Sequence, residues 1–223
     1  MNAESFAFDV GGAPSSAMVY RAPLSRRAIV LAHGAGGRQR QPWMMAMARA
    51  LASRGSDVVT FDFLYAHAGK RLPDRTPVLE QTWRAVLAAV RSRGDVSHET
   101  LFVGGKSMGG RIATHVAADR SGEPLTGVIL FGYPLHPPGK PQTLRAEHLP
   151  RVRVPMLFVQ GSRDAFGRPD ELSPVVEPLS ARLFVVEGGD HSLTPTARSG
   201  ETVQTVIERV ADEVTKFVSS LTR

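Results

Sequence analysis

Three residue types that can together carry out nucleophilic chemistry each follow an apolar stretch of this chain. Ser107 comes first in the chain, Asp164 second and His191 third. A serine hydroxyl is a weak nucleophile until a base takes its proton, and histidine is the side chain suited to that task near neutral pH. An aspartate would fix the histidine tautomer and stabilise the imidazolium. The types and their order predict a Ser-His-Asp catalytic triad.

The serine lies in the stretch Gly105-Lys106-Ser107-Met108-Gly109, after the apolar run 101–103 and before a helical pattern over Arg111–Arg120. This succession predicts a strand, a tight turn with serine at its tip, and a helix. Glycines on both sides let strand and helix approach closely. We expect the backbone N–H groups of Met108 and of Ala35, in the glycine-rich segment 33–37, to form an oxyanion hole.

Other interpretations of the serine stretch are open to test. Gly105-Lys106-Ser107 looks like the end of a phosphate-binding loop, but that motif requires a glycine at position 100, where Thr100 stands. A Gly-x-Ser-x-Gly pattern also occurs by chance as a simple turn. The partner residues elsewhere in the chain favour the catalytic interpretation.

The acid and the base have their own alternatives. Taken singly, His191 could be an ordinary loop histidine and Asp164 the cap of the next segment. Asp190 is a rival acid, but it is the sequence neighbour of the histidine and its side chain should diverge; Asp62 is a weaker rival. We expect His33 to brace the glycine-rich loop, and His115, on the helix after the serine turn, to be a surface or packing residue.

Apolar strands alternate with amphipathic helices along the whole chain. This alternation predicts parallel pairing with right-handed crossovers in an open sheet covered on both faces. The expected fold is a three-layer α/β/α sandwich with a mostly parallel, doubly wound sheet, an N-terminal antiparallel hairpin and one domain over residues 1–223. The carboxyl ends of the strands then bring the three candidate residues to one edge.

The predicted elements are as follows. Strands are expected at Ser5–Val10, Ala17–Arg21, Ala28–Ala32, Asp57–Phe63, Leu101–Val103, Gly127–Phe131, Pro155–Gln160 and Arg182–Glu187. Helices are expected at Pro42–Arg54, Val78–Arg93, Arg111–Arg120, Thr143–Leu149, Glu171–Leu179 and Gly200–Leu221. Two long loops, Leu64–Pro77 and Gly132–Lys140, follow strands of the predicted catalytic edge.

The composition excludes several classes of function. The net charge of +6 comes from 27 Lys and Arg against 21 Asp and Glu, and these charges are scattered, which favours a solvated surface over a nucleic-acid interface. Cysteine is absent, so disulfides, cysteine nucleophiles and cysteine metal sites are excluded. No pattern indicates a metal site or a cofactor, and no secretory signal or membrane span is visible. We expect a cytoplasmic protein with a small-molecule acyl substrate.

The two long loops and the serine turn suggest a pocket. Candidate substrate contacts are Tyr65, Arg71, Arg111, Tyr133 and His136, with His67, Lys106 and Lys140 nearby. One interpretation is a small, polar and partly cationic pocket that favours short or acidic acyl groups. The other is that these charges only solvate the rim.

These motifs together resemble the α/β-hydrolases, in the small lidless branch near the dienelactone hydrolases. The resemblance covers nearly the whole chain, and is closer still to a set of predicted hydrolases that includes testis-expressed proteins and a scaffold subunit of a histone acetyltransferase complex. The segments that carry it are 33–37, 73–75, 105–111, 132–140, 160–167 and 189–192. True dienelactone hydrolases use a cysteine nucleophile, where this chain has Ser107.

The resemblance implies the fold and hydrolase chemistry without naming a substrate. Two functions follow. One is a serine hydrolase that cleaves a small ester or related acyl bond through an acyl-enzyme. The alternative is a binding or scaffold module that keeps the fold without turnover.

Overall fold

The computed structural model describes residues 3–97, 99–119 and 124–222. Within them the chain forms one eight-stranded sheet in the order β1-β2-β4-β3-β5-β6-β7-β8. The strands are β1 (Ala3–Val10), β2 (Ala13–Tyr20), β3 (Arg27–Ala32), β4 (Asp57–Phe61), β5 (Thr100–Lys106), β6 (Gly127–Phe131), β7 (Met156–Gly161) and β8 (Ala181–Val186).

The helices are α1 (Pro42–Ala52), α2 (Leu64–His67), α3 (Thr76–Ser92), α4 (Met108–Ala117), α5 (Pro169–Val176) and α6 (Val203–Ser220). Two short 3₁₀ turns, Leu149–Arg151 and Ala197–Ser199, complete the list for the described residues. The predicted end of the α4 pattern, Arg120, lies outside the described residues.

Strands β3 to β8 pair in parallel, and the two N-terminal strands run antiparallel. Helices α3, α4 and α5 cover one face and α1 and α6 the other, each with its own apolar core. A strand with helices on both sides is buried on both faces, which is why the central strands are continuous apolar runs. The predicted α/β/α sandwich with an N-terminal antiparallel hairpin is confirmed.

The hairpin is tighter than the sequence indicated. β1 and β2 pair from Ala3–Tyr20 down to Val10–Ala13, so only Gly11 and Gly12 form the turn. Both have positive φ, +63° and +92°, as the favoured two-residue hairpin turn demands.

Two segments differ from the predicted secondary structure. The segment predicted as loop from Leu64 contains the single turn α2, and α3 begins at Thr76 because Pro77 is well suited to a first helical turn. The helix predicted over Thr143–Leu149 is absent from this described stretch. Its backbone bonds to a distant residue instead of forming helical hydrogen bonds: the Arg145 N–H donates to the Leu135 carbonyl over 2.8 Å.

Candidate active site

Ser107 lies at the tip of the turn between β5 and α4, with φ 51° and ψ −121°. A positive φ is uncommon for any residue with a side chain, and such strain recurs at functional sites. The turn is possible because α4 packs directly on β3: a Cβ at Gly109 would lie 2.5 Å from the His33 carbonyl oxygen, and one at Gly105 2.3 Å from that of Ala32. Glycine at position 109 therefore lets α4 approach the end of β3, and glycine at position 105 lets the β5 backbone approach that of β3.

The three candidate residues form a continuous hydrogen-bond relay. His191 Nε2 lies 2.8 Å from Ser107 Oγ, and His191 Nδ1 lies 2.8 Å and 2.9 Å from the two carboxylate oxygens of Asp164. A carboxylate only accepts, so Nδ1 carries the proton and Nε2 is free to accept one from the serine. This is the arrangement required for general-base activation of a serine.

Asp164 is fully buried, and two donors besides His191 fix its position. One oxygen accepts the Phe166 N–H over 2.8 Å, and the other accepts Gln160 Nε2 over 2.8 Å. The Phe166 ring also stacks on the His191 ring with centroids 4.1 Å apart. The carboxylate and the imidazole are thus held in place before any substrate binds.

The rival acid has a different task. The Asp190 carboxylate accepts the N–H groups of Ser192 and Thr194 over 2.8 and 2.9 Å, and so closes the turn that carries the histidine. The other rival, Asp62, accepts the Gln39 N–H over 2.7 Å and anchors the end of the glycine-rich loop.

The two residues predicted to supply oxyanion donors belong to the same cleft as the serine. Ala35 and Met108 both line the cleft at Ser107. Met108 is the first residue of α4, where backbone N–H groups have no partner within the helix. A Cβ at Gly34 would lie 3.4 Å from the Ser107 Cβ, so the loop that carries Ala35 passes close to the nucleophile.

His33 braces this loop from beneath. It is fully buried, its Nδ1 lies 2.8 Å from the Gly34 carbonyl oxygen, and its Nε2 accepts the Phe63 N–H over 3.3 Å. Burial lowers the pKa of His33, which keeps the ring neutral. Its place in the fold is therefore the bracing position expected from the sequence.

A cleft of about 670 Å³ opens at Ser107, a volume suited to a small organic molecule. Basic side chains dominate the charged lining that the described residues provide, which consists of Arg75, Lys106, Arg111, Arg145 and one carboxylate, Asp74. Pro134, Leu79 and Phe166 supply apolar surface. Burial lowers the pKa of the Lys106 ammonium, which lies 3.1 Å from Ser192 Oγ and over the Trp43 ring.

The wall of this cleft differs from the one predicted. Of the five candidate substrate contacts only Arg111 lines it. Tyr65 and Tyr133 are buried, and their hydroxyls donate to the carbonyls of Gly34 and Arg145 and not into the cleft. His136 is buried against Glu171, with its Nε2 3.3 Å from the carboxylate, and Arg71 points to solvent outside the cleft.

Arg75, Arg145 and Gln41 line the cleft but were not singled out as contacts from the sequence. Arg75 belongs to the Pro-Asp-Arg segment 73–75, so the motif was visible while the direction of its side chain was not. Nothing in the sequence marks Arg145 as a cleft residue, because it lies in the stretch predicted to be a helix.

No cluster of three or more His, Cys, Asp or Glu side chains among the described residues could hold a metal ion. None of the helices described is long and apolar enough to cross a bilayer.

Solved structures with the same fold include several hydrolases. A dienelactone hydrolase from Anabaena variabilis is 19% identical with a TM-score of 0.77, over 99% of this chain and 98% of that chain. XC6422 from Xanthomonas campestris, described as an α/β serine hydrolase without a lid, is 19% identical with a TM-score of 0.73, over 96% and 95%. Est1E from Butyrivibrio proteoclasticus, solved with ferulic acid bound, is 14% identical with a TM-score of 0.75, over 97% and 98%.

At these identities the structural matches establish the fold alone. The sequence itself goes further, because a family model described as the alpha/beta hydrolase domain matches residues 25–219, most of the chain. The protein belongs to the alpha/beta hydrolase family.

Proposed function

We propose that the protein is a serine hydrolase that cleaves small carboxylic esters through an acyl-enzyme on Ser107. The observation that carries the proposal is the relay from Ser107 Oγ through His191 to Asp164, with contacts of 2.8 Å at each step. Membership of a hydrolase family agrees with it.

The chemical steps follow from the geometry. As Ser107 Oγ attacks the ester carbonyl carbon, His191 Nε2 takes the hydroxyl proton, and the negative charge goes to the carbonyl oxygen. The N–H groups of Ala35 and Met108 stabilise that oxyanion. Collapse of the tetrahedral intermediate breaks the bond to the alcohol, which leaves with the proton from His191. Water then repeats the sequence and releases the acid.

The size of the cleft and its open mouth favour a short acyl group. Among the described residues the longest segment between consecutive elements is 132–148, after β6, and its 17 residues are too few for an inserted domain over the serine. The motif-based resemblance to the set with testis-expressed proteins stays a prediction and supplies no substrate.

The proposal is tested by reacting the folded protein with a fluorophosphonate probe and locating the adduct by mass spectrometry. We expect one adduct, on Ser107, and hydrolysis of 4-nitrophenyl acetate that is lost in Ser107→Ala. Ser92→Ala, an exposed serine at the end of α3, is the matched control and should keep both. A folded wild-type protein that neither labels nor hydrolyses would favour the scaffold alternative.

A further inference from the structure

Three arginines line the cleft, and two of them, Arg111 and Arg145, lie close enough for their charges to interact. Arg111 lies one helical turn beyond Ser107 on α4, Arg75 immediately precedes α3, and Arg145 lies in the segment after β6. All three are on the face of the sheet that carries α3 and α4. Like charges gathered in this way repel one another unless an anion lies among them.

The described residues provide no carboxylate partner for these groups. None of the three takes part in an ion pair there, and the hydrogen-bond contact of the Arg111 guanidinium within the described residues is to a neutral group, His115 Nε2, at 3.5 Å. Glu80, the acid closest along α3, is engaged by His115 at 3.1 Å and by Arg84 at 3.6 Å. Burial, with a contribution from the positive charge of Arg145, lowers the pKa of Arg111.

The positions of these groups are built into the fold. The Arg145 backbone is fixed at both ends, because its N–H donates to the Leu135 carbonyl over 2.8 Å and its carbonyl accepts the Tyr133 hydroxyl over 2.6 Å. The N-terminus of α3 opens beside Arg75 without an acidic side chain in its first turn. The helix dipole therefore adds to the positive potential that the arginines create.

We propose that Arg75, Arg111 and Arg145 bind an oxyanion group, a carboxylate or a phosphate, carried by the substrate beside its scissile ester. This rests on the proposed function and names its substrate class. A guanidinium can hold either group through two parallel hydrogen bonds, and it does so best where water is partly excluded. Asp74, the only carboxylate that the described residues place in the cleft lining, forms no ion pair with these arginines and accepts the Tyr65 N–H over 3.0 Å.

The first test compares two esters of equal length, 4-nitrophenyl hemiglutarate and 4-nitrophenyl valerate. We expect kcat/KM to be about tenfold higher for the hemiglutarate at low ionic strength, with the gap closing as salt is added. Arg111→Gln and Arg145→Gln should each remove most of this preference. Arg26→Gln, an exposed arginine paired with Glu99, is the matched control and should leave the ratio unchanged.

The second test measures binding without turnover. Titration calorimetry of Ser107→Ala with glutarate and with inorganic phosphate measures binding at the subsite directly. The anion with the lower dissociation constant identifies the oxyanion, carboxylate or phosphate, that the subsite prefers. Adding Arg145→Gln should weaken that binding about tenfold. Because Arg145 lies in a loop, this variant decides the matter even if Arg111→Gln fails to fold.

The outcomes separate the two proposals. Hydrolysis of valerate with no preference for hemiglutarate overturns the anion subsite while the proposed function stands. If neither ester is hydrolysed and Ser107 does not label, the proposed function fails, and binding of glutarate or phosphate to Ser107→Ala then decides the subsite. Absence of binding by both anions overturns it.

Discussion

Replacing Asp164 with asparagine tests whether the relay orients the base. The Oδ1 atom of Asp164 accepts the Phe166 N–H, Oδ2 accepts Gln160 Nε2, and both lie within 2.9 Å of His191 Nδ1. An amide has one NH₂ group, which must occupy one of these two positions. In either position it faces a donor, so the variant cannot satisfy all the contacts that the carboxylate makes.

The surroundings leave no simple escape. Gln160 cannot turn its amide over, because its Oε1 accepts the Tyr133 N–H over 2.8 Å while its Nε2 also donates to the Gly167 carbonyl over 2.7 Å. The new NH₂ group favours the His191 tautomer with the proton on Nε2, which cannot take the proton of Ser107. We expect kcat to fall by about 10³- to 10⁴-fold, about 4 to 5.5 kcal/mol in the barrier.

The assay is kcat for 4-nitrophenyl acetate, with urea unfolding of the same preparation. The buried donor clash should cost about 1–3 kcal/mol of stability, which a domain of this size survives. Asp190→Asn is the matched control: asparagine still offers an oxygen to the Ser192 and Thr194 N–H groups, so kcat should change by less than about threefold. A folded Asp164→Asn that keeps a tenth of the wild-type kcat, or an equal loss in Asp190→Asn, would refute the reasoning.

Two further predictions concern stability. Burial, with the charges of neighbouring groups, lowers the pKa of His148 to about 3, so this side chain stays neutral in the native state. In the unfolded chain it takes up a proton below its ordinary pKa of 6.5, so its contribution to stability is complete above pH 6.5 and is lost as the pH falls. We expect the free energy of unfolding to drop by about 2 kcal/mol by pH 5 in the wild type and by less in His148→Gln. Equal slopes of unfolding free energy against pH would contradict this. Gly109→Ala should lose about 3 kcal/mol of stability or fail to fold, because its Cβ would meet a backbone carbonyl oxygen at 2.5 Å. Gly94→Ala, which has open space around its Cβ, is the control and should stay within about 0.5 kcal/mol of wild type. Equal urea midpoints for the two variants would show that α4 can shift to make room.

The fold was readable from the sequence because its parallel strands are buried on both faces. Runs such as Ala28–Ala32 and Gly127–Phe131 have no polar alternation, and the structure places both as central strands, β3 and β6. The prediction that Ser107, Asp164 and His191 meet needs only the rule that parallel strands end at one edge. Their hydrogen-bond distances depend on side-chain packing, such as the Phe166 ring on His191, which no spacing reveals.

The lining of the cleft could not be predicted because loops are oriented by contacts distant in sequence. Tyr133 was expected at the substrate, yet its hydroxyl reaches twelve residues along the chain to the Arg145 carbonyl. The tyrosine is buried against Phe158, and its hydroxyl anchors the loop whose Arg145 side chain lines the cleft. The local sequence pattern predicts that Tyr133 contacts the substrate and that Arg145 belongs to a short helix. In the structure Arg145 lines the cleft and Tyr133 is buried.

The relay and the cleft wall therefore depend on different parts of the fold. The acid and the base are joined by backbone bonds between the ends of β7 and β8: the Ser162 N–H donates to the Val186 carbonyl over 3.0 Å and the Arg163 N–H to that of Gly189 over 2.9 Å. These bonds hold donors and acceptors in position before reaction, which lowers the cost of reorganisation at the transition state. The arginines come instead from α4 and from segments outside regular structure. Under the proposed anion subsite, substitutions at Arg75 or Arg145 consequently change the choice of substrate while the contacts between Asp164 and His191 stay as they are.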